Sequence, residues 1–559
     1  MIKKNYIKIF KKSSSILAIS LLLNFILFSI FFIFVTPKFD TNDDIAMMDI
    51  ASGLRTGEPS EYLVYINILI GKIFVALYSW SSVINWYPFL FYLIHFTAMS
   101  AICFCILKNT RNIYGFILYA LIFSFFEIYF LSNLQFTTTA LLSGFSGVFL
   151  YLTHNDEKNK RYYVAIIISI LLILTGALIR KETFFLVMGV SLILFIFKFL
   201  EKPSWKIPVY LVIVVILFSS FYLIDKTYYQ KDSDWAFYME YNKLRARIAD
   251  YPYFDYDESN KEIYANIGWG KNEVDMIRSF FFPDMKVFSK ENLQYIVSNI
   301  KPKTGLEEIL QNLLRSLLKV DTNIKWFTSF FIIISILISR SRKNLRIFIA
   351  IFTTLLVMLY LSYYGRSPNH VTVPIIFFIC LAITYYVSQR DGESNYKIFS
   401  YKWGKIILLS FALLIISFSY FDSYKSTQIN KIEHKKYEAV TAEMKDENKV
   451  FITWGSTFYY DKKVVFFNRK EKTGYKRIGT GWDTFSPHYF KLLDDCKIEN
   501  LFLSLINRED IFLHCGEGNV NALNIFMEKY YNKSIEAVSV FESELDYQGT
   551  HIYKIKEKK

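Results

Sequence analysis

Residues 14–44 read SSILAISLLLNFILFSIFFIFVTPKFDTNDD, and the fold turns on how this stretch is understood. From Ser14 to Thr36 no side chain is charged. An apolar run of that length suffices for a membrane-crossing helix, which needs roughly 20 residues. Lys3, Lys4, Lys8, Lys11 and Lys12 precede it. A cleavable signal peptide has a shorter apolar core followed by a small-residue cleavage site. This run ends instead in Val35-Thr36-Pro37. It reads as an uncleaved first span that starts in the cytoplasm.

The same signal repeats outward along the chain. Further spans are predicted at about 86–107, 113–131, 136–153, 162–179, 183–200, 207–224, 326–340, 346–363, 371–388 and 405–420. In hydrocarbon every backbone amide must be satisfied within its own segment, so helices are expected. Alternation from a cytoplasmic start puts Lys108/Arg111, Lys158/Lys160/Arg161, Lys198/Lys202/Lys206 and Arg340/Arg342/Lys343/Arg346 inside. That is the positive-inside pattern. Segment 62–80 is apolar but holds Asn67, Gly71 and Lys72. Counting it as a span would put every basic cluster outside, so it reads as a helix on, or dipping into, the outer interface.

Composition agrees. Of 559 residues, 53% are hydrophobic and 19% aromatic, and the formal charge is +14. The Lys and Arg are dispersed between apolar segments, which reads as topology signals facing anionic lipid rather than a nucleic-acid surface. The expected fold is mainly α: a polytopic transmembrane bundle of about 11 spans with a small C-terminal α/β extracytoplasmic domain. The bundle occupies 1–420, including outer loops 37–85 and 225–325, and the outer domain 421–559. The location implied is a plasma or inner membrane, N-terminus cytoplasmic and C-terminal domain outside.

In the tail, a charged helical stretch (Gln428 to Asn448) precedes strand-like runs at Val450–Trp454, Val464–Phe467, Leu501–Leu505, Ala537–Phe541 and His551–Ile555. Helix-like runs lie at 488–495 and 519–531, which together suggest a small α/β domain. Gly455-Ser456 follows the first strand without a phosphate-binding glycine fingerprint. Cys103, Cys105 and Cys380 fall within spans, whereas Cys496 and Cys515 lie outside, where a disulfide is chemically permitted.

Ionisable groups at the outer ends of spans need a reason. Asp40-Thr41-Asn42-Asp43-Asp44 follows the first span. Neighbouring carboxylates can divide the work of base and electrostatic stabiliser, or hold a divalent cation through oxygen. A solvated acidic turn capping the next helix explains the same residues. Arg180-Lys181-Glu182 is wedged between two apolar runs on the outer side. Its two cations suit a lipid phosphate, or simply snorkel to headgroups. Tyr363-Tyr364-Gly365-Arg366-Ser367-Pro368-Asn369-His370 sits on the same side, with Arg366 and His370 as phosphate-binding candidates or ordinary loop residues. Gln135-Phe136-Thr137-Thr138-Thr139 offers hydrogen-bonding groups at another outer boundary, or hydroxyls that bond back to their helix. In loop 225–325, Trp235, Asn242, Arg245, Arg247, Asp250 and Trp269 form either a sugar- or acceptor-binding surface or interfacial packing.

This arrangement resembles the polytopic glycosyltransferases of the GT-C fold, which carry an acidic pair in the first outer loop and interfacial helices after it. Asp43 and Asp44 match the pair, 45–80 the helices, and 421–559 the outer domain found in many members. It is also similar to a set of uncharacterised bacterial membrane proteins with an Asp-Asp-x-x-Met start and a Tyr-x-Asn-x-x-x-Gly segment. Here those are Asp43-Asp44-Ile45-Ala46-Met47 and Tyr65-Ile66-Asn67-Ile68-Leu69-Ile70-Gly71. The oligosaccharyltransferase signature of two tryptophans and an Asp is absent from the sequence.

The resemblance implies a polyprenyl-phosphate or pyrophosphate sugar donor on the outer leaflet and an acceptor glycan, lipid or protein of the cell envelope. Asp43 is the expected base, with Asp44 as alternate. Arg180, Lys181, Arg366, His370, Gln135 and Arg245 are the expected substrate-binding residues. Asp43 and Asp44 would hold a divalent cation if one is used. Two rivals remain: a polysaccharide polymerase or ligase joining lipid-linked repeat units, and a flippase or transporter of lipid-linked sugar. Against transport, the spans are nearly free of interior charge, Glu127 and His95 excepted.

Overall fold

Helices account for most of the chain in the computed structural model, which describes residues 13–110, 113–154, 160–301, 305–338, 341–388, 402–444, 446, 448–455, 462–467, 476–540 and 550–558. Lys3, Lys4, Lys8, Lys11, Lys12, Arg111, Lys158, Arg340, Ser456 and Phe541 lie outside the described residues.

After α1 (Ser13–Phe34), which Pro37 keeps from continuing, a short strand β1 (Lys38–Phe39) leads into α2 (Asn42–Ser52), α3 (Ile68–Trp80) and α4 (Trp86–Thr110). Next, α5 (Ile113–Ile122) passes through a π turn, Phe123–Glu127, into α6 (Ile128–Ser132), and β2 (Asn133–Leu134) pairs in parallel with β1. Helices α7 (Phe136–His154), α8 (Lys160–Ile179), α9 (Lys181–Glu201) and α10 (Lys206–Gln230) follow. The long region between spans holds α11 (Ser233–Asp250), α12 (Lys261–Ala265), α13 (Lys271–Arg278), α14 (Lys290–Asn299) and α15 (Leu306–Lys319). Then come α16 (Thr322–Ile338), α17 (Ser341–Tyr363), α18 (Asn369–Ser388) and the 42-residue α19 (Lys402–Glu443).

Among the described residues nine helical segments are long and apolar enough to cross a membrane: α1, α4, the α5–α6 unit, α7, α8, α9, α10, α17 and α18. The chain is thus a multi-pass membrane protein by length and composition. Helix α3 has 13 residues, rising about 20 Å, which is short of a hydrocarbon core of about 30 Å. Its Ile68, Phe74 and Tyr78 are buried against the rest of the protein.

Almost every residue of α7 is buried, because small side chains let its neighbours approach. Ser143 Oγ donates to Leu172 O at 2.7 Å and Ser169 Oγ to Gly147 O at 2.7 Å. A Cβ on Gly176 would sit 2.3 Å from Ala140 O. Gly176→Ala is therefore expected to prise α8 from α7 and destabilise the bundle by about 1–3 kcal/mol. The readout is a lower Tm of the purified protein in detergent. Deep in the bundle, His95 Nδ1 and Glu127 Oε1 are 2.9 Å apart, and His95 Nε2 lies 3.0 Å from Thr139 Oγ1. The two interior ionisable groups pair through one carboxylate oxygen, while Glu127 Oε2 has no hydrogen-bond partner among the described residues.

The tail forms a five-stranded mixed sheet, ordered β4-β3-β5-β7-β6, from β3 (Val450–Thr453), β4 (Lys476–Gly479), β5 (Ile511–Gly516), β6 (Ile535–Ser539) and β7 (Thr550–Glu557). Helices α20 (Pro487–Asp495), α21 (Leu501–Asn507) and α22 (Glu517–Tyr531) accompany it. Strands β4, β3 and β5 run parallel, and β7 is antiparallel to both β5 and β6.

Two of the expected strands are corrected. Leu501–Leu505 is helical: Asn500 Oδ1 caps Leu503 N at 2.9 Å, and Leu501, Phe502 and Leu505 are buried on one helical face. Val464–Phe467 stays outside the sheet and pairs with the loop 37–85, where Val464 N donates to Pro37 O (3.0 Å) and Asn85 N to Phe466 O (2.8 Å). Strands β4 and β5 are additional to the predicted set. Cys496 and Cys515 are separate buried thiols, so the permitted disulfide is not formed.

The long loop 225–325 and the tail share one hydrophobic core. Phe281 stacks on Trp454 with ring centroids 3.8 Å apart, Phe288 packs on Phe526, and Trp454 Nε1 donates to Ser279 Oγ. Arg55 of the first loop forms an ion pair with Asp483 of the tail, both largely buried. These contacts tie the long loop, the tail and the residues just after α2 together.

Candidate active site

Helix α2 begins where the first loop leaves β1, and its first turn carries Asp43 and Asp44. Their roles diverge at once. Asp44 is wholly buried. Its Oδ1 accepts from Tyr87 Oη (3.0 Å) and Phe136 N (3.1 Å), and its Oδ2 from Thr41 Oγ1 (3.0 Å). Burial pushes its carboxyl well above the usual carboxylate range, against these hydrogen bonds. Asp44 thus ties α2 to the start of α7 and to α4.

Asp43 is only half-buried. Burial raises its pKa, opposed by the positive charges of Arg180, Arg245 and Arg366 and assisted by Asp250. Three guanidinium groups from three separate segments therefore act on one carboxyl.

Each cation is held by a different device. Arg180 is the N-cap of α9 in extended conformation; its Nη1 donates to Thr137 Oγ1 at 2.8 Å, and its guanidinium lies 4.9 Å over the Phe136 ring. Arg245, on α11, is wholly buried, bonded to Asn242 and to the Tyr65 hydroxyl, and stands 5.3 Å over Phe280. Arg366 Nη1 is 2.8 Å from Asp250 Oδ2, with its guanidinium 5.6 Å over Tyr251. Tyr65 lies among the charges of Arg245, Asp43, Asp250 and Arg180, and burial pushes its hydroxyl up to about 12, so it stays a hydrogen-bond donor. Its ring stacks on Phe136 at 6.1 Å.

His370 Nδ1 is 3.9 Å from Asp40 Oδ2, within electrostatic reach of Arg180 and Arg366. Burial raises the pKa of Asp40 as well, opposed by Lys462 and Lys38. Two buried polar atoms here, Arg245 Nε and Asn42 Oδ1, have no hydrogen-bond partner among the described residues. Unsatisfied buried groups of opposite character beside a charged cluster are what a polar ligand would complete.

Of the residues singled out from sequence, Asp43, Arg180, Arg245, Arg366 and His370 come together. Gln135 stands behind them: its Nε2 donates to the Thr137 hydroxyl that also receives Arg180, and its Oε1 accepts from Thr138 N. It positions Arg180 and caps α7. Lys181 goes elsewhere. Its Nζ is 5.7 Å from the Tyr222 ring and acts on Asp225, because an extended N-cap and the first helical residue project in different directions.

Tyr65 and Lys462 were not legible as site residues. Tyr65 sits in the Tyr-x-Asn-x-x-x-Gly segment, which now has a physical reading. Asn67 caps α3 through Leu69 N (3.0 Å) and bonds Phe221 O, and a Cβ on Gly71 would lie 2.1 Å from Glu61 O. The segment seats α3 and thereby fixes Tyr65. Lys462 comes from the tail, donating from Nζ to Asp40 O at 3.2 Å, and no local signal marks it.

No three His, Cys, Asp or Glu side chains converge as a cation-binding group among the described residues. Asp44 already accepts three hydrogen bonds, which leaves Asp43 as the less engaged carboxylate of the pair.

The roles of the pair can be separated. Asp44→Asn can keep all three bonds, with its amide donating to Thr41, and is expected to fold and retain activity. Asp44→Ala orphans the Phe136 amide and the Tyr87 hydroxyl, which costs about 1–3 kcal/mol for each group. Thermal unfolding and activity of the two variants check this.

The cluster can receive an anion and accept a proton side by side. No protein-family model and no curated protein matches the chain, so the reading of this site rests on its own geometry.

Proposed function

We propose that the protein is a membrane glycosyltransferase of GT-C type, moving a sugar from a polyprenyl-phosphate or pyrophosphate donor to a hydroxyl of a cell-envelope glycan, lipid or protein. The observation that carries this reading is the common field of Arg180, Arg245 and Arg366 around Asp43. In the reaction Asp43 takes the proton of the acceptor hydroxyl as that oxygen bonds to the anomeric carbon. The bond from that carbon to the phosphate oxygen breaks, and the phosphate leaves with the electron pair. Its growing negative charge faces the three guanidinium groups, which are held before the reaction starts. Bidentate Arg–phosphate pairing suits this task. Arg245 Nε and Asn42 Oδ1 supply unspent hydrogen-bonding capacity.

The same reading takes α16 and the apolar first half of α19 as spans, giving eleven with the nine above. The N-terminus is then cytoplasmic, and the site and tail lie outside. A lipid-linked donor fits an outward site, which nucleotide sugars made in the cytoplasm do not reach.

The test is transfer by the purified protein in vesicles supplied with polyprenyl-linked monosaccharide and envelope extract, read by mass spectrometry of the products. Appearance of a sugar-modified acceptor and free polyprenyl phosphate is expected. Lipid-linked sugar crossing the bilayer without covalent change would overturn the reading in favour of transport. Labelling of an introduced Ser534→Cys by a membrane-impermeant maleimide from outside the cell checks the orientation.

A further inference from the structure

Helix α15 divides its surface into three sectors. A helix turns about 100° per residue, so residues four apart drift by only about 40° and form one stripe. Leu306, Leu310, Leu314 and Leu318 form such a stripe, and they are 72, 50, 58 and 63% exposed. Beside it runs a polar stripe, Glu307, Gln311 and Arg315, also exposed, with Gln311 Nε2 donating to Glu307 Oε1 at 3.2 Å. The remaining side faces the protein, where Ser316 and the following Val320 are buried. In order around the axis the helix presents protein, leucine, then charge.

A water-exposed helix has no use for four large leucines in a row, and a buried one would cover them. The order of sectors fits a helix lying where protein, hydrocarbon and water meet. Continuity supports this. Helix α16 starts three residues after α15 ends, and it too leaves large apolar side chains uncovered: Trp326 at 73%, Phe330 at 56% and Ile333 at 56%. The leucine stripe extends that apolar surface around the corner onto the in-plane helix.

We infer that α15 is seated in the outer surface of the bilayer, with its leucine stripe in the acyl region and its Glu307–Arg315 stripe in water. The seat reaches the site through Asn312, whose Nδ2 donates to Ser362 O at 3.3 Å at the end of α17. Three residues on, the chain turns through Gly365 to Arg366. Bilayer lipid therefore sets the height at which Arg366 is presented. This seating is independent of which reaction the site carries out.

The test uses the full-length protein in vesicles of phosphatidylcholine and phosphatidylglycerol. Nitroxide labels on Leu310→Cys and Leu314→Cys are expected to collide more with oxygen than with a water-soluble nickel chelate. On Gln311→Cys and Arg315→Cys that ratio is expected to reverse. Nickel access at the leucine positions would overturn the seating. So would low access to both reagents there, which marks a second copy or another protein as the cover. An acyl-chain diazirine lipid, photolysed with the unaltered protein, needs no variant. Adducts on 306–318 are expected, and their absence while α16 is labelled would overturn the inference.

Discussion

Asp43→Asn is expected to cut sugar transfer by about 10²–10⁴-fold, the range seen when a positioned base is removed. The amide is isosteric and Asp43 is not fully buried, so Tm should move little. Turnover falls while donor affinity holds. The pH dependence carries a sign. Burial raises the Asp43 pKa, so the acid limb of the rate profile should lie above the ordinary Asp value of about 3.9. Activity is then present above that raised pKa and lost as pH falls through it. Arg180 is the largest of the opposing positive charges. Arg180→Ala should therefore move the limb to still higher pH, besides slowing the reaction. A limb that stays in place in Arg180→Ala, or full turnover in Asp43→Asn, would remove Asp43 from the chemistry.

Arg245→Gln is expected to lower turnover by about 10²–10³-fold, as loss of one preorganised donor at a developing negative charge does. Its guanidinium is fully buried, where charges are weakly screened. Arg366 is a useful contrast: its side chain is 43% exposed and already paired with Asp250. Arg366→Gln should cost less, and its effect should shrink in high salt, whereas the Arg245 effect should not. Arg245→Lys keeps the charge but loses the planar fork, and is expected to fall between Gln and wild type. Equal losses for Arg245→Gln and Arg366→Gln would indicate that burial does not decide their contributions.

The order of these effects follows from how the site is built. Asp44 is spent on three structural bonds, Gln135 on a helix cap, and Lys181 on a neighbouring helix. What remains facing the half-buried Asp43 is a set of guanidinium groups, each fixed by an aromatic face or a hydrogen bond before any ligand arrives. Such fixed dipoles and charges need no reorganisation as charge develops.

Much of this could be read along the chain. The apolar runs gave the nine long helices, and Pro37 and Asp43-Asp44 marked where helices stop or start. The acids at 40–44 and the arginines at 180 and 366 stood out because charge at the edge of hydrocarbon is costly and must serve some purpose, and Arg245 was one of several candidates in the long loop. The misreadings came from elements whose state the apolar pattern alone does not fix. Leu501–Leu505 is apolar enough for a strand, but the Asn500 cap and a one-sided burial pattern make it helical. Val464–Phe467 looks like a sheet strand, yet the distant loop 37–85 takes its backbone bonds.

Sequence by itself determined that this is a many-helix membrane protein, because transfer of each segment from water to lipid is a local sum over its own residues. Only the tertiary structure decided which charges meet. Residues 43, 65, 180, 245 and 366 lie on five separate segments, and their approach depends on the α7–α8 close packing and on the core that the long loop 225–325 shares with the tail. Those contacts are non-local, and no window of sequence contains both partners.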